Sequence, residues 1–321
     1  MVALKKAVQK FEADERVSPF AADVLKGLKS TPKRISPKYF YDAAGSALFE
    51  QITDLPEYYP TRTELRILED NAAAIAAYIP QGSALIEFGS GSSRKTRILL
   101  AAAPQLAAYV PVDICGDILE VEAVDLRKEF PKLEVLPVTA DFTQPFELPD
   151  SVPEARVGFF PGSTIGNFEP HEAAAFLRNA AKILGPGATM IVGTDLQKDS
   201  SILNAAYNDA AGITKAFNFN LLVRINRELG GKFDLGSFEH HAFYNRERHR
   251  VEMHLASNKR QKVRLAGETV EFRAGETIHT ENSYKYSADS FNALARGTGW
   301  TPVASWTDPD GYFCVHAIAL K

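Results

Sequence analysis

The stretch Leu85-Ile86-Glu87-Phe88-Gly89-Ser90-Gly91-Ser92-Ser93-Arg94-Lys95-Thr96 constrains the fold more than any other part of this chain. An apolar run breaks into glycines and then into helix-forming sequence, the strand, turn and helix start with which α/β proteins hold a nucleotide. Glycine at 89 and 91 permits positive φ and lets a ligand come close where a Cβ would stand. Glu87 lies within the strand, just ahead of the turn. A dinucleotide-binding loop needs a third glycine for the pyrophosphate, and here that position is Arg94. The pattern E-x-G-x-G therefore favours a nucleoside with an uncharged linkage over a pyrophosphate. A strand, turn and helix with no ligand is the plain alternative.

With 321 residues, 45% hydrophobic and 24% charged, the chain is expected to be an ordinary soluble globular protein of one large domain with an appendage, or of two domains. A net charge of -4 argues against a basic nucleic-acid surface. The start, Met1-Val2-Ala3-Leu4-Lys5-Lys6, meets charge before any apolar core of signal-peptide length, and no uncharged apolar segment approaches a membrane span. The expectation is a cytoplasmic monomer with neither a membrane nor a nucleic-acid partner. Cys115 and Cys314 form no metal-binding spacing and no redox pair, which suits a reducing compartment. His240, His241, His249, His254 and His279 cluster late in the chain without H-E-x-x-H or Cys/His spacing. No metal is expected, and these histidines are expected to be exposed or hydrogen-bonded structural residues.

Up to about residue 60 short helices are broken by Pro32, Pro37 and Pro56, with aromatic clusters at Tyr39-Phe40-Tyr41 and Tyr58-Tyr59. After a long helical stretch from Thr61, the sequence predicts strand 84–88, helix 93–104, strand 108–113, helix 116–129, strand 134–138, strand 156–161, helix 169–184 and strand 188–193. Strands separated by helices imply a parallel sheet wound on both faces. After Asp195 helices give way to β-rich sequence around 238–286, with turns at Asn258-Lys259 and Ala274-Gly275. Helix 288–298 then leads to strands 300–306 and 312–319 joined by Asp308-Pro309-Asp310-Gly311, a link so short that they must pair antiparallel. A mostly parallel sheet that ends in an antiparallel hairpin is the arrangement of class I S-adenosyl-L-methionine (SAM)-dependent methyltransferases, a Rossmann-like α/β fold. The expected division is a SAM-binding domain of residues 61–195 and 287–321, plus a mixed α+β substrate-binding lobe of residues 1–60 and 196–286.

Open α/β sheets place ligands beyond the carboxyl ends of their strands. Asp113 ends the run Tyr109-Val110-Pro111-Val112, a place from which a carboxylate can accept from both ribose hydroxyls. Asp141-Phe142 offers an acceptor for an adenine amino group and a ring to lie against the base. Either aspartate also suits a helix N-cap. The fourth strand opens into Phe159-Phe160-Pro161-Gly162-Ser163-Thr164-Ile165-Gly166-Asn167-Phe168, too polar and flexible for a core turn. There Asn167 can bind a carboxylate through its amide donors, and Gly162 exposes a carbonyl that can receive an ammonium hydrogen. The rival role for Asn167 is to cap the helix that follows Pro170. If 278–286 is a strand, Glu281 and Ser283 share a face with His279 and Lys285, and in the preceding strand Val251, Met253 and Leu255 share another. Met253 equally fits core packing, and Glu281 a surface ion pair.

Pro37-Lys38-Tyr39-Phe40-Tyr41-Asp42, Leu55-Pro56-Glu57-Tyr58-Tyr59-Pro60-Thr61-Arg62-Thr63-Glu64, Gly162-Ser163-Thr164-Ile165-Gly166-Asn167 and Ala206-Tyr207-Asn208-Asp209-Ala210-Ala211-Gly212 resemble the L-histidine Nα-methyltransferases of ergothioneine biosynthesis. So do Asn226-Arg227-Glu228-Leu229 and Thr280-Glu281-Asn282-Ser283, and the resemblance runs in order over nearly the whole chain. It implies transfer of methyl groups from SAM, as cosubstrate, to the α-amino group of L-histidine, three times, giving hercynine (Nα,Nα,Nα-trimethyl-L-histidine). It puts Asn167 and Tyr207 on the substrate carboxylate, Tyr41 and Gly162 at the α-amino group, Tyr58, Glu281 and Ser283 around the imidazole, and Met253 in an apolar wall. On the SAM side it puts Gly89, Lys95, Asp113, Asp141, Phe142 and Gly162, with Lys95 toward the methionine carboxylate.

A carboxylate and a hydroxyl can satisfy the two ring nitrogens of histidine. Catalysis is then mainly alignment of the amine behind the methyl group and exclusion of water, with Tyr41, or a water it positions, helping the amine to lose its proton. One alternative is methylation of another amino acid such as tryptophan, whose indole would leave Glu281 poorly paired. The other is a SAM- or amino-acid-binding module without turnover. The chain stops after the terminal hairpin, so the later sulfur-insertion step is expected of a separate protein.

Overall fold

The computed structural model describes residues 18–91 and 93–321. The first residues of the expected lobe, 1–17, and Ser92 of the glycine turn lie outside the described residues. The strands run β1 (Lys33–Arg34), β2 (Ala84–Phe88), β3 (Ala108–Asp113), β4 (Glu134–Val135), β5 (Val138–Thr139), β6 (Arg156–Phe160) and β7 (Thr189–Asp195). They continue with β8 (Phe238–Asn245), β9 (Arg250–Ser257), β10 (Gln261–Leu265), β11 (Glu268–Phe272), β12 (Thr277–Tyr284), β13 (Trp300–Thr307) and β14 (Phe313–Leu320).

The large sheet has eight strands in the order β13-β14-β7-β6-β2-β3-β4, with β5 also on β3. Strands β2, β3, β6 and β7 pair in parallel, and β14 runs antiparallel between β7 and β13. This is the mostly parallel, Rossmann-like sheet with a terminal antiparallel hairpin that the sequence implies. The hairpin's second strand lies inside its first. Side chains alternate across β2, so Ile86 and Phe88 enter one core with Val110, Val112, Phe160 and Phe176, while Leu85 enters another with Tyr109, Phe159 and Ile191. A strand covered on both faces must be apolar at nearly every position, which is why this segment reads as an unbroken run. Each such buried Leu, Ile or Phe contributes about 1.5–3 kcal/mol.

Prolines account for two of the departures from the predicted spans. The strand expected at 134–138 is two short pieces, β4 and β5, because Pro137 between them has no N–H for the ladder. The helix Arg94–Ala102 stops before 104 because Pro104 disfavours helical backbone at Ala103. The helix Pro170–Leu184 takes Glu169 as N-cap, and the Glu172 carboxylate accepts the Glu169 N–H at 2.9 Å. Asn167 is therefore not its cap. No helix among the described residues is long and apolar enough to cross a membrane.

The chain divides into two compact units, one of residues up to Ile52, Tyr207–Phe243 and Glu252–Glu281, the other of Thr53–Ala206, Tyr244–Val251 and Asn282–Lys321. Residues 53–60, 196–206, 244–251 and 282–286 thus group with the large sheet, whereas the sequence puts them in the substrate lobe. The local reason is that Tyr59, Lys198 and Lys285 all bind Asp195 at the end of β7. In the smaller unit, β1 pairs in parallel with β12 through Lys33 and Ile278, within a sheet ordered β1-β12-β9-β8. Its helix Ile213–Glu228 buries Phe217, whose ring stacks on Phe40 at 4.4 Å. Phe233, Phe238 and Phe272 close a second aromatic cluster with centroids 5.5 to 6.1 Å apart.

Candidate active site

The glycine turn has the backbone that its sequence requires. Gly89 has φ +78 and Gly91 φ +46, and a Cβ on Gly89 would stand 3.2 Å from the Phe142 ring. The structure therefore brings Gly89 and Phe142 together, with the ring facing the turn. The Gly89 N–H donates to the Val112 carbonyl at 2.8 Å, which ties the turn to the end of β3. Asp113 and Asp141 each use Oδ1 to accept from the backbone two residues on, Cys115 and Thr143, both at 3.0 Å. These are local turns that order the carboxylates at the strand ends. Glu87 is buried and accepts from Thr96 Oγ1 at 2.7 Å and from the Tyr109 hydroxyl. Burial pushes its carboxyl up to about 8, against the lowering effect of those bonds, so it is mostly protonated at neutral pH.

Lys95 and Gly162 meet through a residue that the sequence reading did not single out. Glu64 is 1% exposed, pairs with Lys95 Nζ at 2.6 Å and accepts the Gly162 N–H at 2.8 Å. Gly193 makes room for it, because a Cβ there would lie 2.1 Å from Glu64 Oε1. Gly162 itself has φ +78, and the following Ser163 is also left-handed at +56. The Gly162 N–H is thus engaged by Glu64. The next turn, Thr164–Asn167, ends at Asn167, which is half-buried.

A second buried centre lies at the end of β7. Asp195 is 1% exposed and accepts from Tyr59 Oη at 2.7 Å, Lys198 Nζ at 2.6 Å and Lys285 Nζ at 2.7 Å. Ser163 Oγ accepts the Asp195 N–H at 2.8 Å. Burial works to raise the Asp195 pKa, but Lys285 and Lys198 outweigh it and hold the carboxyl below its ordinary value. Burial lowers Lys198 to about 8, against the pull of Asp195. Lys285 Nζ also donates to Ser283 Oγ at 2.7 Å, which confirms that these two residues share a strand face. Tyr58, one residue before Tyr59, is the half-buried N-cap of the helix Tyr59–Ala76.

In the smaller unit, Tyr207 and Met253 are joined by a chain of polar contacts. His240 Nε2 donates to the Tyr207 carbonyl at 3.0 Å and its Nδ1 accepts from Asn218 at 2.9 Å. Thr280 Oγ1 bridges Asn218 Oδ1 at 2.7 Å and the Met253 carbonyl at 3.0 Å. Burial lowers the His240 pKa, so the ring is a neutral structural link. Met253 is itself deeply buried. Tyr41 stands edge-on to Phe49 at 5.7 Å and to Phe217 at 5.9 Å. Glu281 is half-buried, and its carbonyl accepts from His279 Nε2 at 3.0 Å. Glu252, His254 and His279 bring ligand-type atoms within 4.8 Å of one another, a grouping that residue spacing does not reveal because it joins β9 to β12. The His254 and His279 rings stack at 4.5 Å and 19°, so their in-plane lone pairs lie in separate layers. His254 Nε2 and Glu252 Oε2 are 3.1 Å apart, the geometry of a hydrogen bond.

The family of histidine-specific, SAM-dependent methyltransferases matches residues 20–320. The histidine N-alpha-methyltransferase of Mycolicibacterium smegmatis is 43% identical over 308 residues, covering 94% of this chain and 95% of that one. Ergothioneine biosynthesis protein 1 of Neurospora crassa is 31% identical, covering 88% of this chain and 33% of the larger fungal protein. An L-tryptophan methyltransferase of Psilocybe serbica is 27% identical, covering 92% of each chain.

Proposed function

The chain belongs to the histidine-specific, SAM-dependent methyltransferases, and on that premise we propose that it is the enzyme that methylates the α-amino group of L-histidine three times to give hercynine in ergothioneine biosynthesis. The observation that carries this is 43% identity to a histidine N-alpha-methyltransferase over nearly the full length of both chains. The unit with the large sheet is proposed to hold SAM. Its residues fit that group: Gly89 presents no Cβ beside the Phe142 ring, and Asp113 and Asp141 stand after parallel strands as acceptors for ribose and adenine. Lys95 Nζ has three hydrogens, of which the pair with Glu64 uses one, so it can also meet the methionine carboxylate.

Bound SAM supplies a methyl group already activated by its sulfonium, and the chain's own residues supply position. Asn167 and Tyr207 are proposed to hold the histidine carboxylate, Tyr41 and the Gly162 carbonyl the amine, Tyr58, Glu281 and Ser283 the imidazole, and Met253 an apolar wall. Orientation of the amine lone pair behind the methyl group is the main catalytic contribution. An ammonium has no lone pair, so Tyr41, or a water it positions, is proposed to help remove a proton before each transfer. Transfer from a sulfonium needs no metal, and none is proposed.

The test is incubation with SAM and each of the twenty amino acids, followed by mass spectrometry in steps of one methyl. Gain of three methyls with histidine alone is expected. Gain with tryptophan instead would redirect the substrate, and no gain with any amino acid would leave a binding module. In the same assay Tyr41→Phe is expected to slow transfer at least about tenfold, and a wild-type rate would remove Tyr41 from the chemistry.

A further inference from the structure

We propose that Lys285 is a positioning residue that fixes the Ser283 hydroxyl as a hydrogen-bond donor and so selects the uncharged form of the substrate ring. The inference rests on the reading above that Ser283 faces the imidazole. Lys285 is 3% exposed, and its ammonium lies 2.7 Å from Ser283 Oγ and 2.7 Å from Asp195 Oδ2. An ammonium can only donate, so Ser283 Oγ accepts this bond and its one proton is directed elsewhere. A hydroxyl that accepts from a buried cation becomes a better donor and a poorer acceptor. The ring nitrogen that meets it must then present a lone pair. Imidazolium has none, whereas neutral imidazole has one bare nitrogen and one N–H, the latter suited to a carboxylate such as Glu281.

Charge reinforces the selection. The groups around Lys285 are Asp195 at the end of β7, to which Tyr59 also donates, Lys198 just beyond it, with Asp308 acting on that lysine, and Tyr244 at the end of β8. Asp195 is shared by both lysines, while the Lys285 ammonium is the cation in direct contact with the Ser283 hydroxyl. A charged substrate ring on the far side of Ser283 would meet that ammonium across a single hydroxyl in a poorly solvated place. Lys285 therefore does for the ring what a single serine could not, since an isolated hydroxyl turns to donate or accept as its partner requires.

The experiment is nitrogen NMR of ring-labelled histidine bound to the enzyme with S-adenosylhomocysteine at about pH 5.5, where the free ring is mostly protonated. In the wild type one bare and one protonated ring nitrogen are expected. Lys285→Met is expected to give a doubly protonated bound ring and a KM for histidine raised about tenfold with kcat changed less, while Lys285→Arg keeps the bare nitrogen. A doubly protonated ring in the wild type, or an unchanged ring state in Lys285→Met, overturns the proposal. Should Lys285→Met fail to fold, Ser283→Ala decides: its bound ring is expected to be doubly protonated, and a bare nitrogen there overturns the proposal. Ser283→Ala with an unchanged KM for histidine overturns it differently, by showing that Ser283 does not face the ring at all.

Discussion

Glu64 occupies a position that helix periodicity reserves for an apolar side chain. With Ile67, Leu68 and Ile75 it lies on the buried stripe of the helix Tyr59–Ala76. A carboxylate is stable there only because Lys95 and the Gly162 N–H meet its oxygens. Gly193→Ala would drive a methyl into that carboxylate and is expected to cost about 1–3 kcal/mol. Glu64→Ala, which strands a partly exposed Lys95 and a backbone N–H, is expected to cost about 3 kcal/mol. The double variant should cost clearly less than the two added, since the clash leaves with Glu64. Urea denaturation of the four proteins measures this, and full additivity would sink the account. In sequence Glu64 is legible only as a polar residue on an apolar stripe. Its partners come from three other elements, and no local pattern names them. Asn167 shows the opposite case: sequence left it between ligand and cap, and the Glu169 cap removes one of the two.

At the scale of elements, the sequence was most legible where a strand is buried on both faces or a helix turns one regular face inward. Strands β2 and β3 and the helix Gly116–Glu129 have the spans predicted from it, because an all-apolar run or a clean helical period leaves little choice of register. It was less legible at β4 and β5, where the ladder breaks at Pro137, and in β12. Along β12 the half-buried pair His279 and Glu281 gives way to buried Ser283 and, one residue past the strand's end, buried Lys285. Alternation told which side chains share a face, but the burial of that face is set by Asp195, which sits on β7. Helix ends are a simpler case. Ser287 Oγ accepts the Ser290 N–H at 3.1 Å, and the Ser287 N–H donates in return to Ser290 Oγ at 2.9 Å, capping the helix Ala288–Arg296. Ser287→Ala is expected to cost about 1 kcal/mol with no change in KM for histidine. A change in KM without a loss of stability in urea would show that the cap has another role.

For the molecule as a whole, fold and substrate were legible for different reasons. The sheet followed from pattern, since alternation of strands and helices and a short final link leave few topologies. The substrate did not, because the same sheet hosts many chemistries, and its assignment came from long motifs such as Thr280-Glu281-Asn282-Ser283 and Ala206-Tyr207-Asn208. The buried ionisable groups belong to neither category. Sequence shows that Glu87 and His316 sit in apolar runs, but their charge states depend on everything packed around them.

Those two groups give the molecule a pH dependence of stability whose shape can be worked out. Burial raises Glu87 from 4.5 to about 8, and burial lowers His316 from 6.5 to about 4. Between those two values folded Glu87 holds a proton that the unfolded chain has released, so its contribution is full below 4.5 and is lost as pH rises to about 8. Folded His316 lacks a proton that the unfolded chain takes up, so its contribution is full above 6.5 and is lost as pH falls to about 4. Where the windows overlap the two slopes, each about 1.4 kcal/mol per pH unit, oppose each other. His240, lowered chiefly by burial, adds to the His316 side. The wild type is therefore expected to be level or gently rising from 4.5 to 6.5 and to lose stability from 6.5 to about 8. Glu87→Gln should abolish that loss and leave stability rising up to pH 6.5, whereas His316→Gln should leave a fall that begins near 4.5, opposed of the two histidines only by His240. Urea midpoints at closely spaced pH values, each variant compared with the wild type, test both. A Glu87→Gln profile parallel to that of the wild type would mean that Glu87 is ionised in the fold, and that the bonds from Thr96 and Tyr109 outweigh its burial.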